Sequence, residues 1–114
     1  MVLNTMSYSQ AAVLAVQREM EADERVVVMG EDVGRGGIFG QYKGLQQTFG
    51  THRIIDTPIS EAAIMGGGVG MALAGMRPVV EMRVVDFARC GRQECCMQPA
   101  KTRYSLAGPA RLPR

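Results

Sequence analysis

Three valines and a methionine, Val26–Met29, run without interruption into Gly30, and they constrain the fold more than any other stretch. A short, unbroken and largely β-branched run is typical of a strand that is buried on both faces, as in a parallel sheet. Further strands are predicted at Arg53–Asp56 and Pro78–Met82. Because helical segments separate the three strands, the predicted fold class is α/β, an open and largely parallel sheet with flanking helices.

The helical segments are recognisable from their caps and their spacing. Ser7 and Gln10 have the spacing of a capping box, and they introduce a predicted helix over Tyr8–Ala22. Leu45–Phe49 predicts a short helix and Ser60–Ala74 a long one, and each is followed by a glycine that ends it.

The glycine-rich segment Glu31–Gly44 follows the first predicted strand and is predicted to be a loop. A loop in this position is where α/β proteins place ligands. Its glycines do not form a dinucleotide fingerprint, because Phe39 stands where the third glycine is required, and Met71 breaks the later glycine cluster likewise. Gly70 and Gly75 have P-loop spacing, but the lysine that should follow is missing. The sequence therefore contains no recognisable phosphate-binding motif.

Small residues dominate one side of the long predicted helix. Gly66 and Gly70 share a face, with Ala62, Ala63 and Ala74 nearby. Each interior glycine costs about 1 kcal/mol relative to alanine, so a close backbone approach is expected to compensate. Two explanations stay open, which are packing against the sheet of the same chain and a helix–helix contact at a subunit interface.

Several acidic residues follow predicted strands or begin a helix. Glu61 lies in the first turn of the long helix, where a carboxylate is favoured by the helix dipole whether or not it has a function. Glu31 and Asp32 could be functional, but acids in loops usually face water. Glu81 interrupts an apolar strand, either as a buried, paired acid or as the mark of the strand's exposed end.

Composition excludes several classes of protein. The formal net charge of +2 is small and the basic residues are scattered, which argues against a nucleic-acid partner. Cys90, Cys95 and Cys96 form no C-x-x-C pair and His52 is distant, so no metal site is predicted. No signal peptide is evident, and the uncharged run Ala62–Met76 is shorter than the roughly 18 residues of a membrane span. We therefore expect a soluble, cytoplasmic protein.

Four segments of the chain follow the pattern of a known family: GEDVGRGGIFGQYKGLQQTFG (30–50), RIIDTPISEAAIMGGGVGMALAGMRPVVEM (53–82), VDF (85–87) and AKTRY (100–104). They closely resemble the beta subunits of thiamine-diphosphate-dependent 2-oxoacid dehydrogenases, the decarboxylating components of pyruvate, branched-chain 2-oxoacid and acetoin dehydrogenase complexes. The resemblance extends from about Met6 to Tyr104, and the D-T-P-I-S-E segment is its most specific part.

The resemblance implies a domain assignment and a cofactor. Residues 1–114 would be the N-terminal part of a pyrimidine-binding domain, without the C-terminal transketolase-like domain. Thiamine diphosphate would be shared with an alpha subunit that holds the diphosphate and its magnesium. Glu61 matches the glutamate that hydrogen-bonds the aminopyrimidine ring, Ile59 matches a residue beside that ring, and Phe87 an aromatic position that packs on it. The glutamate would favour the imino form of the ring's amino group, which takes the proton from the thiazolium carbon.

The resemblance also implies a reaction and partners. The reaction is oxidative decarboxylation of a 2-oxoacid, with pyruvate expected ahead of branched-chain 2-oxoacids, followed by acyl transfer to a lipoyl group. The expected partners are an alpha subunit, a second beta chain and a lipoyl acyltransferase, without nucleic acid or membrane. Two alternatives remain open, namely a non-catalytic remnant that binds a partner and another transketolase-like thiamine enzyme.

The sequence departs from the family at several positions. Arg83 stands where Met or Gln is usual near the cofactor, and a charge there is expected to disturb an apolar pocket. Residues 89–99 replace an apolar helical segment, and Gly91, Arg92 and Pro99 in it are expected to suit a packed helix poorly. Residues 105–114 depart from the pattern again.

Overall fold

A computed structural model describes residues 5–105 and 108, except the side chains at 95 and 103. The divergent tail predicted for 105–114 therefore lies almost entirely outside the described residues. None of the helices within the described part of the chain is long and apolar enough to cross a membrane. The elements in chain order are α1 (Tyr8–Ala22), β1 (Val26–Gly30), a 3-10 turn (Val33–Arg35), α2 (Leu45–Phe49), β2 (Ile54–Asp56), α3 (Glu61–Leu73), β3 (Arg77–Val80), a 3-10 helix (Val85–Arg89), a π-helical turn (Gln93–Met97) and α4 (Gln98–Ser105).

The three strands form one parallel sheet in the order β2–β1–β3. In the middle strand, Val28 is opposite Ile54 of β2, and Val26 is opposite Arg77 of β3. All five residues of β1 are buried, since the strand has a neighbour on each side and helices over both faces. The α/β fold class and the two-sided burial of the first strand are thus confirmed.

The core lies mainly between β1 and the two helices that flank it in sequence. It combines one residue of α1, two of β1, one of the loop, one of α2 and one of β2: Met20, Val26, Val28, Val33, Leu45 and Ile54. The opposite face of the sheet is covered by α3, whose Ile64 is buried. The helices therefore cover both faces of the sheet, and the ends of its strands are left open.

Arg53 ties α1 to the sheet. Its guanidinium group donates hydrogen bonds to the carbonyl oxygens of Met20, Asp23 and Val26 at 2.7 to 3.1 Å. The guanidinium carbon, Cζ, of Arg53 lies 5.2 Å from the centroid of the Phe49 ring. The last carbonyl groups of α1 have no partners within the helix, so an arginine fork placed there satisfies them and fixes the helix against the strand.

The glycines of α3 lie on two different sides of the helix. A Cβ atom on Gly68 would lie 2.5 Å from Cγ2 of Val80, and one on Gly67 would lie 3.4 Å from Cε of Met29. These positions allow the helix to approach the sheet closely, as one of the two sequence explanations proposed. A Cβ atom on Gly70 would have no atom of the described residues within 4 Å. The subunit-interface explanation stays a prediction for that exposed side of the helix.

Two predicted strand boundaries were wrong. β3 was expected over Pro78–Met82, but it spans Arg77–Val80 because its pairing with β1 begins at Arg77 and ends opposite Met29. β2 begins at Ile54, one residue later than predicted, because Arg53 still belongs to the preceding turn, where its amide donates to Gly50 at 3.3 Å. The bounds of α1 and α2 agree with the prediction, and Ser7 and Gln10 form the predicted capping box.

The divergent segment 89–99 packs on α3, but as a 3-10 helix, a turn and a π-helical turn rather than as a regular α-helix, in line with the expectation that Gly91, Arg92 and Pro99 suit a packed helix poorly. Gly91 is buried, and a Cβ atom there would lie 2.5 Å from Cγ of Met65. Only a glycine permits this approach without displacing the methionine. Pro99 lies inside a helical run that is continuous from Arg92 to Ser105, and the π-helical turn directly before it breaks the regular α-helical pattern where a proline cannot donate an amide hydrogen bond.

Candidate active site

The candidate site lies at the edge of the sheet where all three parallel strands end. Glu31 and Asp32 follow β1, Thr57 follows β2, and Glu81 follows β3. α3 begins at this same edge, because it runs back along the sheet from the end of β2. In open α/β sheets, ligands bind outside the carboxyl ends of the strands, at the topological switch point. This is the place where two adjacent strands are followed by connections that lead to opposite sides of the sheet. Here that point lies between β1 and β3.

Glu61 lies in the first turn of α3, as the sequence predicted, although the helix spans Glu61–Leu73 and is one residue shorter at each end than predicted. Its side chain is half-buried, and it is the only acid in the first turn. Ser60 precedes it, and its carbonyl oxygen accepts a hydrogen bond from Ile64 at 2.8 Å, but its side chain does not cap the helix. The carboxylate of Glu61 is therefore the acidic group that interacts with the positive end of the helix dipole, and this interaction favours its position at the start of α3.

Ile59 and Phe87 reach this region from two different segments. Ile59 lies two residues before Glu61 and is 75% exposed. Phe87 lies on the 3-10 helix Val85–Arg89 and is 39% exposed. The chain after that helix packs against the start of α3, since a Cβ atom on Gly91 would lie 3.5 Å from the carbonyl oxygen of Glu61. Both apolar side chains are thus exposed on segments that adjoin the start of α3, and their roles stay predictions.

The glycine loop is anchored at its start and free at its tip. Asp32 has a left-handed backbone with φ of 57°, and the amide of Gly34 donates to Oδ1 of Asp56 at 2.7 Å. The amide of Tyr42 closes the loop onto the carbonyl of Gly36 at 2.8 Å. Between these anchors Phe39 is 80% exposed. The loop therefore extends an aromatic side chain beyond the same edge of the sheet.

Arg83 neutralises two of the acids at this edge. Its Nη2 donates to Oδ2 of Asp32 at 2.6 Å, and its Nε lies 3.4 Å from Oε2 of Glu31. Glu31 is 8% exposed, so the expectation that it faces water was wrong. A buried carboxylate requires a partner, and the arginine at the end of the neighbouring strand supplies one. The charge of Arg83 is therefore paired with the end of β1.

Glu81 is the least satisfied acid of the group. Its Oε2 is buried and has no hydrogen-bond partner among the described residues. Burial raises the pKa of Glu81, the positive charge of Arg83 partly offsets the rise, and the negative charge of Glu31 adds to it. Burial and the nearby Glu81 charge also raise the pKa of Tyr42. Glu81 therefore marks the end of the strand, as one explanation held, but it is half-buried rather than exposed, and it forms no ion pair with a described residue, so it is not the buried, paired acid of the other explanation.

Sequence reasoning missed the cluster formed by Glu31, Arg83 and Glu81. A signal was present, because Glu31 and Arg83 each directly follow a strand of the predicted parallel sheet, and Glu81 lies near the end of the last predicted strand. The prediction that the chain has no metal site stays a prediction, although no group of three potential metal ligands occurs among the described residues. Cys90 and Cys96 are free and exposed.

Comparison with known proteins places these features in a family. Residues 4–113 match the family described as the transketolase, pyrimidine binding domain. A 2-oxoisovalerate dehydrogenase subunit beta of Bacillus subtilis is 48% identical over 103 residues, which cover 90% of this chain and 32% of that protein. The protein of that name from Pseudomonas aeruginosa is 40% identical over 112 residues, 97% of this chain and 32% of its own length.

A third relative carries a different substrate in its name. A pyruvate dehydrogenase E1 component subunit beta of Staphylococcus epidermidis is 40% identical over 109 residues, 95% of this chain and 34% of its own length. The chain thus spans about a third of the length of the curated relatives that it matches. These relatives confirm the resemblance to 2-oxoacid dehydrogenase beta subunits. With a family match over nearly all of its residues, the chain belongs to the transketolase pyrimidine-binding domain family.

Proposed function

We propose that this chain provides the pyrimidine-binding part of a thiamine-diphosphate-dependent 2-oxoacid dehydrogenase, with Glu61 as the carboxylate that acts on the cofactor. The observation that carries the proposal is the position of Glu61, at the mouth of α3 and at the carboxyl edge of the sheet. The family match and the names of the relatives support the same reaction class. On this proposal, residues 1–114 correspond to the N-terminal part of the domain.

The residues at this edge fit an aminopyrimidine ring. Such a ring has apolar faces and polar edges, and the edge of the sheet offers both kinds of surface. Ile59 and Phe87 present exposed apolar side chains, while Thr57 Oγ1 and Glu81 Oε2 are buried without a hydrogen-bond partner among the described residues. Glu61 adds a carboxylate on the first turn of a helix. We propose that Ile59 lies beside the ring and Phe87 packs on it.

Glu61 would act by holding a proton at one ring nitrogen. When bound, thiamine diphosphate would supply a thiazolium ring with a nucleophilic carbon, and the ring as a whole would be the electron sink for decarboxylation. A carboxylate that shares a proton with the ring nitrogen opposite the amino group would favour the imino form of that amino group, which is the form that can accept a proton. The helix fixes the carboxylate in place, so little reorganisation is needed at the moment of proton transfer.

The remaining parts of the reaction would come from other chains. The glycine clusters lack a phosphate-binding pattern, so we propose that an alpha subunit holds the diphosphate and its magnesium. A second beta chain and a lipoyl acyltransferase complete the proposed assembly. The relatives' names include both 2-oxoisovalerate and pyruvate, so the proposed substrate class is 2-oxoacids, with pyruvate and branched-chain acids as the first to test. A cytoplasmic location is likewise proposed, and one plant relative carries the word mitochondrial in its name.

A chimera tests the role of Glu61 directly. Residues 6–104 of this chain would replace the matching segment of the Bacillus subtilis beta subunit, co-expressed with its alpha subunit. Proton exchange at the thiazolium carbon, followed by NMR, should be fast in the chimera and slow in its Glu61→Gln variant. Glu19→Gln, an exposed acid on α1, is the matched control and should leave exchange unchanged. Equal exchange in the Glu61→Gln variant would refute the role of Glu61.

The same chimera separates the proposal from the non-catalytic alternative. Assembly with the alpha subunit together with decarboxylation of pyruvate or 2-oxoisovalerate supports the enzyme proposal. Assembly without any cofactor-dependent exchange indicates a binding remnant, whose divergent segment 89–99 would then be the first part to replace.

A further inference from the structure

A basic groove lies on the divergent segment, outside the candidate active site. It has a volume of about 570 Å³ and is lined by the 3-10 helix, the π-helical turn and α4, through Arg89, Arg92, Gln93, Met97, Gln98 and Lys101. None of the three proposed cofactor-contacting residues is among its lining residues. The groove is therefore a separate surface feature, and its ligand chemistry is independent of the proposed function.

The charge of the groove is uniformly positive. Arg89, Arg92 and Lys101 are all exposed, and none of them forms an ion pair with a carboxylate among the described residues. The acid of this segment, Glu94, is turned the other way. Its Oε2 is buried, and its Cγ would lie 3.7 Å from a Cβ atom on Gly66 of α3. The helical turns thus direct the cations to the groove and their acid to the core side.

The chemistry and size of the groove indicate its ligand. Arginine presents a planar fork of donors that matches phosphate and carboxylate oxygens, and lysine adds a compact point charge. The amides of Gln93 and Gln98 can donate further hydrogen bonds at the same surface. The volume falls within the range of about 300–1,000 Å³ that is typical of small-molecule sites. A long basic stripe, as nucleic acid requires, is not formed by three cations within one short segment.

We propose that this groove binds a small multivalent oxyanion, a compound that carries two or more phosphate or carboxylate groups. Arg92 and Lys101 approach the anion from the π-helical turn and from α4, so that the ligand bridges two consecutive helical pieces. Met97, which is 47% exposed, supplies an apolar contact for the body of the ligand. Binding would also fix the divergent segment more firmly against α3.

Calorimetric titration of the complete chain with inorganic pyrophosphate tests the proposal. At low ionic strength we expect saturable binding, and the Kd should rise steeply as salt is added, because the contacts are exposed charge pairs. Arg92→Gln and Lys101→Gln should each weaken binding by about fivefold, and the double variant should weaken it further. Arg18→Gln, which removes an exposed arginine from α1, is the matched control and should bind as the parent chain does.

Citrate provides the second arm of the experiment. Citrate binding that is also lost in the double variant supports a general oxyanion site, whereas binding of pyrophosphate alone assigns the groove to phosphates. Circular dichroism should show the same helical content in every variant, since all the substituted side chains are exposed. No pyrophosphate binding by the folded parent chain would overturn the proposal. Binding that survives in the double variant, or that Arg18→Gln weakens equally, would overturn it as well.

Discussion

Two glycines on the same helix should respond in opposite ways to the same substitution. Gly70→Ala places a methyl group where no described residue lies within 4 Å, so the variant gains the helix propensity of alanine, about 1 kcal/mol. Gly68→Ala gains the same propensity, but its methyl group would lie 2.5 Å from Cγ2 of Val80. Valine is stiff, and in β3 its position is held by pairing with β1, so it cannot move aside easily.

The difference between the two variants measures the close contact. Inserting a methyl group into a filled space typically costs about 1–3 kcal/mol, so Gly68→Ala should be less stable than Gly70→Ala by about that amount. Urea unfolding followed by circular dichroism would give both free energies of unfolding with a common slope. Val80→Ala in the Gly68→Ala background removes the opposing methyl group, so the two changes should show a favourable coupling energy.

The close packing of α3 against β3 is the feature that these variants test. If Gly68→Ala proves as stable as Gly70→Ala, the helix does not approach the strand as closely as the structure indicates. An absence of coupling between the changes at 68 and 80 would lead to the same conclusion.

Three further predictions concern charged side chains. Arg53→Ala should lower the free energy of unfolding by about 1.5–3 kcal/mol because it leaves three carbonyl groups without their charged donor, and Arg53→Lys should recover part of this loss in the same urea assay. The side-chain hydrogen bond from Arg25 lowers the pKa of Asp23 from 3.8 to about 2. The ionised carboxylate therefore stabilises the fold above pH 3.8, and this stabilisation is lost as the pH falls through the folded-state pKa. Asp23→Asn should reduce the loss of stability between about pH 4 and about pH 2. Burial raises the pKa of Glu81 above 4.5, so its contribution is present below that pH and is lost as the pH rises through the folded-state pKa. Glu81→Gln should therefore be more stable than the parent chain at pH 8, and a parent that is equally stable at pH 5 and pH 8 would contradict this.

The features that the sequence predicted well are the local ones. The bounds of α1 could be read directly, because Ser7 and Gln10 form a capping box within a single turn. The bounds of β3 could not, because they are set by pairing with a strand about fifty residues earlier in the chain. The burial of Glu31 escaped prediction for the same reason, since the arginine that compensates it lies on the far side of two crossover connections.

The candidate site divides in the same way. Glu61 could be singled out from its place in a family pattern and at a helix start, and the structure puts it at the carboxyl edge of the sheet. Arg83 was noticed only as a departure from the family pattern. Its ion pair with Asp32 joins residues that are 51 positions apart, and no local rule connects such a pair.

The parallel order β2–β1–β3 also has a consequence for how the chain is made. The middle strand β1 is synthesised before both of its partners, and its outermost pairing, Val26 with Arg77, must wait until α3 and β3 have left the ribosome. Until then, the most apolar strand of the chain has one unprotected edge. Pairings between distant residues form slowly, and unpaired apolar strands promote association with other chains. A nascent chain of this fold should therefore depend on chaperone binding at β1 during the interval between the synthesis of β2 and that of β3.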